Sequence, residues 1–144
     1  MKSVIGIGNA LTDMLVNLSN DAVLNEYGLS KGSMSLVGSE LQTEISKAVA
    51  GAPHSLSLGG SAGNTIRCMA RLGTRVGFIG KVGNDGTGEF YEQALRNIGV
   101  EPFISRSEQR SGKCLSLVSP DGERTLVTHL GAALDLHRDD IDAT

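Results

Sequence analysis

The chain has 144 residues, which is enough for one domain with a hydrophobic core and too short for two ordinary ones. A net charge of -3 without a Lys/Arg-rich run argues against nucleic acid or an anionic membrane surface as a partner, and favours a small neutral or polar ligand. No apolar run approaches the roughly 20 residues of a membrane span, and the start lacks a signal-peptide pattern, so we expect a cytoplasmic protein. Cys68 and Cys114 belong to no C-x-x-C motif or His/Cys cluster, so no metal site or disulfide is expected.

The first half of the chain mixes strands and helices. In chain order, the pattern predicts a buried strand over 4–9, a strand over 11–18 with an irregular crossing segment as the alternative, and a short helix from Asn20 or Asp21 to Tyr27. A strand over 31–37 and a helix over 39–50 with Ser39 as its N-cap follow. Gly28 follows the short helix, where a left-handed conformation is favoured.

Strand and helix continue to alternate up to Gly99. A helix should follow the glycine loop 59–64 and stop at Gly73, a strand should cover 75–82, and a second helix should cover 87–98. From Val100 the pattern changes to short strands at 102–104, 113–118 and 125–130, with Pro120-Asp121-Gly122 as the turn between the last two. The sequence therefore predicts an α/β core with an antiparallel addition.

The glycine pair Gly59-Gly60 is the first chemical signal. Glycines before a helix let the backbone approach a ligand, and the free N–H groups of the first helical turn face the same place. With Ser61 as N-cap, Asn64 would be the third helical residue, and its amide can both donate to and accept from a polyol. The alternative is a tight strand-to-helix turn that Asn64 only caps.

Asn9 and Asp13 follow the first strand. In a parallel sheet, ligands bind at the carboxyl ends of the strands, so both side chains can face a binding crevice, where Asp13 would accept two hydroxyl protons. A solvated loop aspartate is the alternative interpretation of Asp13.

Other patterns are weaker. The loop 80–88 lacks the lysine spacing of a phosphate-binding P-loop, and Gly6-Ile7-Gly8 lacks the third glycine of a dinucleotide fingerprint. The three histidines, His54, His129 and His137, are scattered and indicate no catalytic triad.

Four motifs occur in an order that resembles the PfkB family of ribokinase-like kinases. They are G-N-A-L-T-D at 8–13, G-G-S-A-G-N at 59–64, G-K-V-G-N-D-G-T-G at 80–88 and P-D-G-E-R-T at 120–125. The resemblance implies a Rossmann-like ribokinase fold with a small antiparallel β-sheet lid, whose strands lie near 11–18 and 31–37 and within 102–130. The first motif is more similar to adenosine kinases than to ribokinase itself.

The resemblance also implies a function. Asn9, Asp13, Gly59, Gly60 and Asn64 would hold the hydroxyls of a sugar or nucleoside and orient its hydroxymethyl group towards ATP, with Mg²⁺ as the metal. Cys114 resembles a lid position that lies near the base in adenosine kinases, with ordinary strand packing as the alternative. Family members often dimerise through their lids, so a homodimer is expected.

One departure from the family pattern limits this function. The N-x-x-E and G-A-G-D motifs, which in the family carry the magnesium, the anion hole and the catalytic Asp, do not occur in the 144 residues. We therefore expect residues 1–144 to be the sugar-binding N-terminal part of a kinase, inactive alone, with the catalytic residues and the ATP-binding half beyond Thr144. The competing hypotheses are a non-catalytic sugar- or nucleoside-binding module and a dinucleotide-binding domain.

Overall fold

The computed structural model describes residues 3–142. Its strands are β1 (Ser3–Ile7), β2 (Leu11–Asn17), β3 (Met34–Leu36), β4 (His54–Gly59), β5 (Arg75–Gly83), β6 (Val100–Ser107), β7 (Gly112–Val118) and β8 (Arg124–His129). Its helices are α1 (Ala22–Glu26), α2 (Ser39–Ala48), α3 (Ser61–Arg71), α4 (Gly86–Asn97) and α5 (Arg138–Asp142), with a 3-10 helix over Gly131–Asp135. Within the described range, no helix is long and apolar enough to cross a membrane.

One expectation from the sequence concerns the end of the chain. Thr144, beyond which the catalytic residues are expected, lies outside the described residues. The expectation that the kinase continues past Thr144 therefore stays a prediction.

The chain forms two compact units. Among the described residues, the first unit consists of 3–12, Ser57–Gly112 and 130–142, and the second consists of Asp13–Leu56 and Lys113–His129. Each unit has its own hydrophobic core.

A parallel sheet in the order β1-β5-β6 forms the centre of the first unit. Helices α3 and α4 pack on one face, where Phe78 and Tyr91 lie with their ring centroids 5.9 Å apart. Gly6 allows this close packing, because a Cβ atom there would lie 2.4 Å from the side chain of Ile66. Since side chains alternate along a strand, Ile5 points to the opposite face, where it is 55% exposed.

The second unit provides most of a five-stranded sheet in the order β3-β8-β7-β2-β4. Helix α2 packs on one face of this sheet, over a core of Val16, Leu24, Ile45, Val49, Leu115, Leu117 and Val127. The buried side chain of Gln42 fastens α2 to the sheet, since Nε2 donates to the carbonyl oxygens of Lys113 at 2.7 Å and Val127 at 3.0 Å.

The other face of this sheet carries exposed apolar side chains. Met34 and Leu36 are 56% and 62% exposed. The strand register places Leu126 beside Met34, and Thr128 beside both Leu36 and Cys114. Paired residues of neighbouring strands point to the same side. We call this side of the sheet the apolar lid face. It is formed by Met34, Leu36 and Leu126 together with the buried residues Cys114 and Thr128.

The structure confirms the predicted α/β class with a parallel core sheet, and it corrects the assignment of two strands. The sequence predicts 102–104 as part of the antiparallel addition, but β6 pairs in parallel with β5 because a whole helix, α4, connects them. The strand predicted over 31–37 is reduced to β3, since Gly32 adopts a φ of 77° and belongs to a turn. β3 is also parallel to β8, so the sheet is mixed rather than antiparallel.

Two predicted helix caps are wrong by one residue. Gly38 and Gly60, not Ser39 and Ser61, are the N-caps of α2 and α3. At Gly60 the cause is its φ of 81°, which puts the turn at the glycine and leaves Ser61 helical. Asn64 is consequently the fourth helical residue.

Candidate functional site

In the first unit, the glycine loop lies directly against Asn9, the second residue after β1. A Cβ atom at Gly60 would lie 2.4 Å from the carbonyl oxygen of Asn9, so only glycine permits this approach. The backbone N–H of Asn64 donates to the carbonyl oxygen of Gly60 at 2.9 Å. The structure thus brings Asn9, Gly59, Gly60 and the first turn of α3 together, and leaves the side chains of Asn9 and Asn64 exposed.

The buried side chain of Tyr91 contacts the glycine loop. It is 1% exposed, and its hydroxyl donates to the carbonyl oxygen of Gly59 at 3.3 Å. A Cβ atom at Gly63 would lie 2.7 Å from the same hydroxyl. Sequence reasoning did not indicate this residue, although the spacing of Tyr91 to Leu95, one helical turn, was the available signal.

The start of α3 offers its backbone amides without a side-chain cap. The first N–H groups of a helix have no intrahelical acceptor and carry the positive end of the helix dipole. A hydroxyl or anionic oxygen of a ligand is a suitable partner for them.

The start of α4 is different, because Asp85 already occupies it. One carboxylate oxygen of Asp85 accepts from the backbone N–H of Gly88 at 2.8 Å. The other accepts from the N–H of Ser111 at 2.9 Å. These contacts support the interpretation of the loop 80–88 as a structural turn rather than a phosphate site.

In the second unit, Asp13 and Cys114 are neighbours. Burial raises the pKa of the Cys114 thiol, the hydroxyl of Thr128 lowers it by donating to Sγ at 3.3 Å, and the charge of Asp13 raises it again. Cys114 is therefore protonated at neutral pH. Asp13, whose carboxylate can accept protons from hydroxyl groups, thus lies near Cys114 of the apolar lid face. Thr128 is a member of this group that the sequence did not indicate.

The dinucleotide interpretation of Gly6-Ile7-Gly8 lacks its structural context. That fingerprint requires a helix after the strand, whereas β1 is followed by β2. Instead, Gly8 allows α3 to approach, because a Cβ atom there would lie 2.9 Å from Cβ of Ala62.

The described residues offer no ready-made cluster for a magnesium ion, and the start of α4 is not free to bind a nucleotide phosphate. Across 3–142, no three His, Cys, Asp or Glu side chains form a group that could hold a metal ion. The amides at the start of α4, the other helix that follows a glycine-rich loop, are taken by Asp85.

Comparison with known proteins agrees with this architecture. The adenosine kinase of Sinorhizobium meliloti has a similar structure, with a TM-score of 0.82 and 33% identity over 96% of this chain and 42% of that one. The 5-dehydro-2-deoxygluconokinase of Clostridium perfringens is 40% identical over 59% of this chain and 27% of its own length. The aminoimidazole riboside kinase of Salmonella typhimurium is 37% identical over 51% of this chain and 24% of its own length.

The fold is thus the ribokinase fold, of which this chain contains an α/β part and a small mixed sheet. The sequence profile of the pfkB family carbohydrate kinases matches residues 31–143, which is more than half of the chain. The chain belongs to the PfkB family. It spans about a quarter of the length of the curated relatives that it matches.

Proposed function

We propose that this chain provides the acceptor-binding part of a kinase that transfers a phosphoryl group from ATP to the hydroxymethyl group of a sugar or nucleoside. The observation that carries the proposal is the contact of Gly60 with Asn9, which gathers backbone amides and two exposed asparagine side chains at the end of β1. Polyol recognition needs such paired donors and acceptors.

Each site residue has a chemical role in this proposal. Asp13 accepts protons from two sugar hydroxyls, while Asn9 and Asn64 donate to and accept from others. Gly59 and Gly60 let the sugar approach the backbone. Together they fix the orientation of the hydroxymethyl oxygen, which lowers the entropy cost of its attack on phosphorus.

A nucleoside acceptor is favoured over a plain sugar by the apolar lid face. A planar base is a partner for Met34, Leu36 and Leu126, which are apolar, while Cys114 and Thr128 lie on the same face. The similarity to an adenosine kinase supports the same choice.

The cofactors of the proposed reaction are ATP and Mg²⁺. The family implies the use of ATP, which supplies the phosphoryl group, while Mg²⁺ offsets the charge of its phosphates. Residues 3–142 contain no group of three His, Cys, Asp or Glu side chains that could hold a metal ion, and we assign to them only the holding and orienting of the acceptor. The catalytic residues are proposed to lie beyond Thr144, and residues 1–144 alone to be inactive.

Steady-state kinetics test the acceptor site, in a longer form of the protein that has kinase activity (a kinase-active form). Asp13→Ala should raise the KM for the acceptor strongly, because a hydrogen bond to a charged group contributes about 1.5–3 kcal/mol. Asn64→Ala should act in the same direction, and Glu108→Gln, an exposed position, serves as the control. Unchanged KM and kcat/KM in both site variants would refute the assignment.

A non-catalytic binding module is the second candidate function, since acceptor binding by Asn9, Asp13 and Asn64 would not itself require ATP. Calorimetric titration of residues 1–144 with adenosine, ribose and fructose distinguishes the two. Tight binding of one ligand by the chain alone favours the module, while binding that appears only in a kinase-active form favours the kinase.

We also propose self-association through the second unit. β3 lies at the edge of the five-stranded sheet and carries the exposed side chains of Met34 and Leu36, and a second copy of the chain can pair with this edge. Light scattering at micromolar concentration should give the mass of a dimer, and Met34→Ser with Leu36→Ser should reduce it to that of a monomer. A monomeric wild-type protein would contradict this proposal.

A further inference from the structure

Gly112 packs against two other segments of the first unit at which the chain passes between the units. The chain passes between the units at four places, after Thr12, before Ser57, after Gly112 and before Leu130. A Cβ atom at Gly112 would lie 2.5 Å from Cδ2 of Leu11, 2.7 Å from the carbonyl oxygen of Leu130 and 3.2 Å from that of Ala10. Three of the four passages are therefore packed together on the first unit.

Ser111, the residue before this glycine, is fixed by the carboxylate of Asp85. Oδ2 of Asp85 accepts from the backbone N–H of Ser111 at 2.9 Å, and Oδ1 accepts from its hydroxyl at 2.6 Å. The hydroxyl oxygen of Ser111 in turn accepts from the N–H of Gly83 at 2.9 Å. Ser111 is 6% exposed, so these bonds are shielded from water.

Helix capping alone does not explain an aspartate at this position. Capping α4 requires one oxygen, for the N–H of Gly88, and an asparagine supplies it as well as an aspartate does. Accepting from Ser111 at the same time requires the second oxygen of a carboxylate.

We propose that Asp85 is a positioning residue, which holds Ser111 and Gly112 and thereby the passages that lead to the acceptor-binding residues. Asp13 directly follows Thr12, and Cys114 lies two residues after Gly112. The consequence for substrate binding rests on the proposed function, whereas the mechanical consequence for the passages does not.

Hydrogen exchange of the full chain tests the mechanical part. Asp85→Asn keeps the cap but presents an N–H₂ group to the N–H of Ser111. We expect amide exchange to become about tenfold faster at Ser111, Gly112 and residues 10–12, because one hydrogen bond to a charged group is lost. Exchange in α3 should not change. Ser111→Ala keeps the hydrogen bond from the backbone N–H of residue 111 to Asp85 and should give a smaller increase in exchange rate in the same segments. This variant is the substitute if Asp85→Asn does not fold.

Two results would overturn the inference. Unchanged exchange at residues 10–12 would show that Asp85 acts only on its own loop, and a uniform increase throughout the first unit would show a general effect on stability. Glu108→Gln, which removes a negative charge from an exposed position, is the control.

Kinetics of a kinase-active form test the functional part. Asp85→Asn should raise the KM for the acceptor severalfold and leave the KM for ATP unchanged, and equal changes in both would contradict a positioning role. If the wild-type protein binds no acceptor, the proposed function fails, while the exchange experiment still decides whether Asp85 fixes the passages.

Discussion

Gly60 combines two requirements that no other residue type meets. Its φ of 81° and ψ of 142° lie in a region that essentially only glycine adopts, and its α-carbon faces the carbonyl oxygen of Asn9. The approach of the loop to the end of β1 therefore depends on this single position.

Alanine at Gly60 should destabilise the chain by about 3 kcal/mol, from backbone strain and from the clash with Asn9. Gly73→Ala is the matched control, because Gly73 has a φ of 82° but a Cβ atom there would meet nothing within 4 Å. That control should cost about 1 kcal/mol, from strain alone. Urea unfolding of both variants measures the difference, and equal losses would show that the contact with Asn9 contributes nothing.

The sequence indicated the glycine pair but not its geometry. The G-G-S-A-G-N motif predicted a glycine turn before a helix, and the structure agrees. That Gly60 rather than Ser61 caps α3 depends on a positive φ, which propensities do not encode, since serine is itself a favoured cap. Tyr91 was missed because its hydroxyl reaches a carbonyl 32 residues away in sequence.

At the scale of elements, Gln42 joins α2 to two strands of the second unit. Its amide nitrogen donates to two backbone carbonyl oxygens, and Gln42 itself is 6% exposed. Removing it leaves both acceptors without this donor.

Gln42→Ala should lower the free energy of unfolding by about 1–3 kcal/mol, the cost of unsatisfied buried polar groups. Gln93→Ala on α4 is the control, since Gln93 is exposed and its side chain donates to that of Asn97, one helical turn away. We expect a change within about 0.5 kcal/mol there. Thermal unfolding followed by circular dichroism compares them, and similar losses in both variants would remove the special role of Gln42.

The order of elements was predictable, but strand pairing was less so. Periodicity and glycines located most helices and strands, including the turn at Gly122, which has a φ of 90°. Pairing direction is decided by what connects two strands, and by neighbours distant in sequence. The parallel contact of β3 with β8 joins segments that no local pattern links, so it became visible only in the structure.

At the scale of the whole molecule, β1 exposes apolar side chains on one face of the parallel sheet. Parallel sheets in proteins are normally covered on both faces, whereas Ile5 and Ile7 of β1 are 55% and 48% exposed. Apolar surface in contact with water costs about 25 cal/mol per Å².

Residues 1–144, expressed alone, should therefore be poorly soluble. Replacing Ile5 and Ile7 with Thr, which keeps the strand propensity, should increase the soluble fraction severalfold. Leu72→Thr is the control, because Leu72 is 79% exposed at the end of α3 rather than on the sheet. A soluble wild-type monomer with cooperative unfolding would contradict the expectation.

The strand order of the second unit also has a consequence for biosynthesis. β3 ends at Leu36, and its sheet neighbour β8 begins at Arg124, 88 positions later. At a translation rate of about 5–20 residues per second, roughly 4–18 s pass between the synthesis of β3 and the synthesis of its partner β8. During that interval Met34 and Leu36 are an unpaired apolar segment, which is the kind of segment that a chaperone holds until β7 and β8 have emerged.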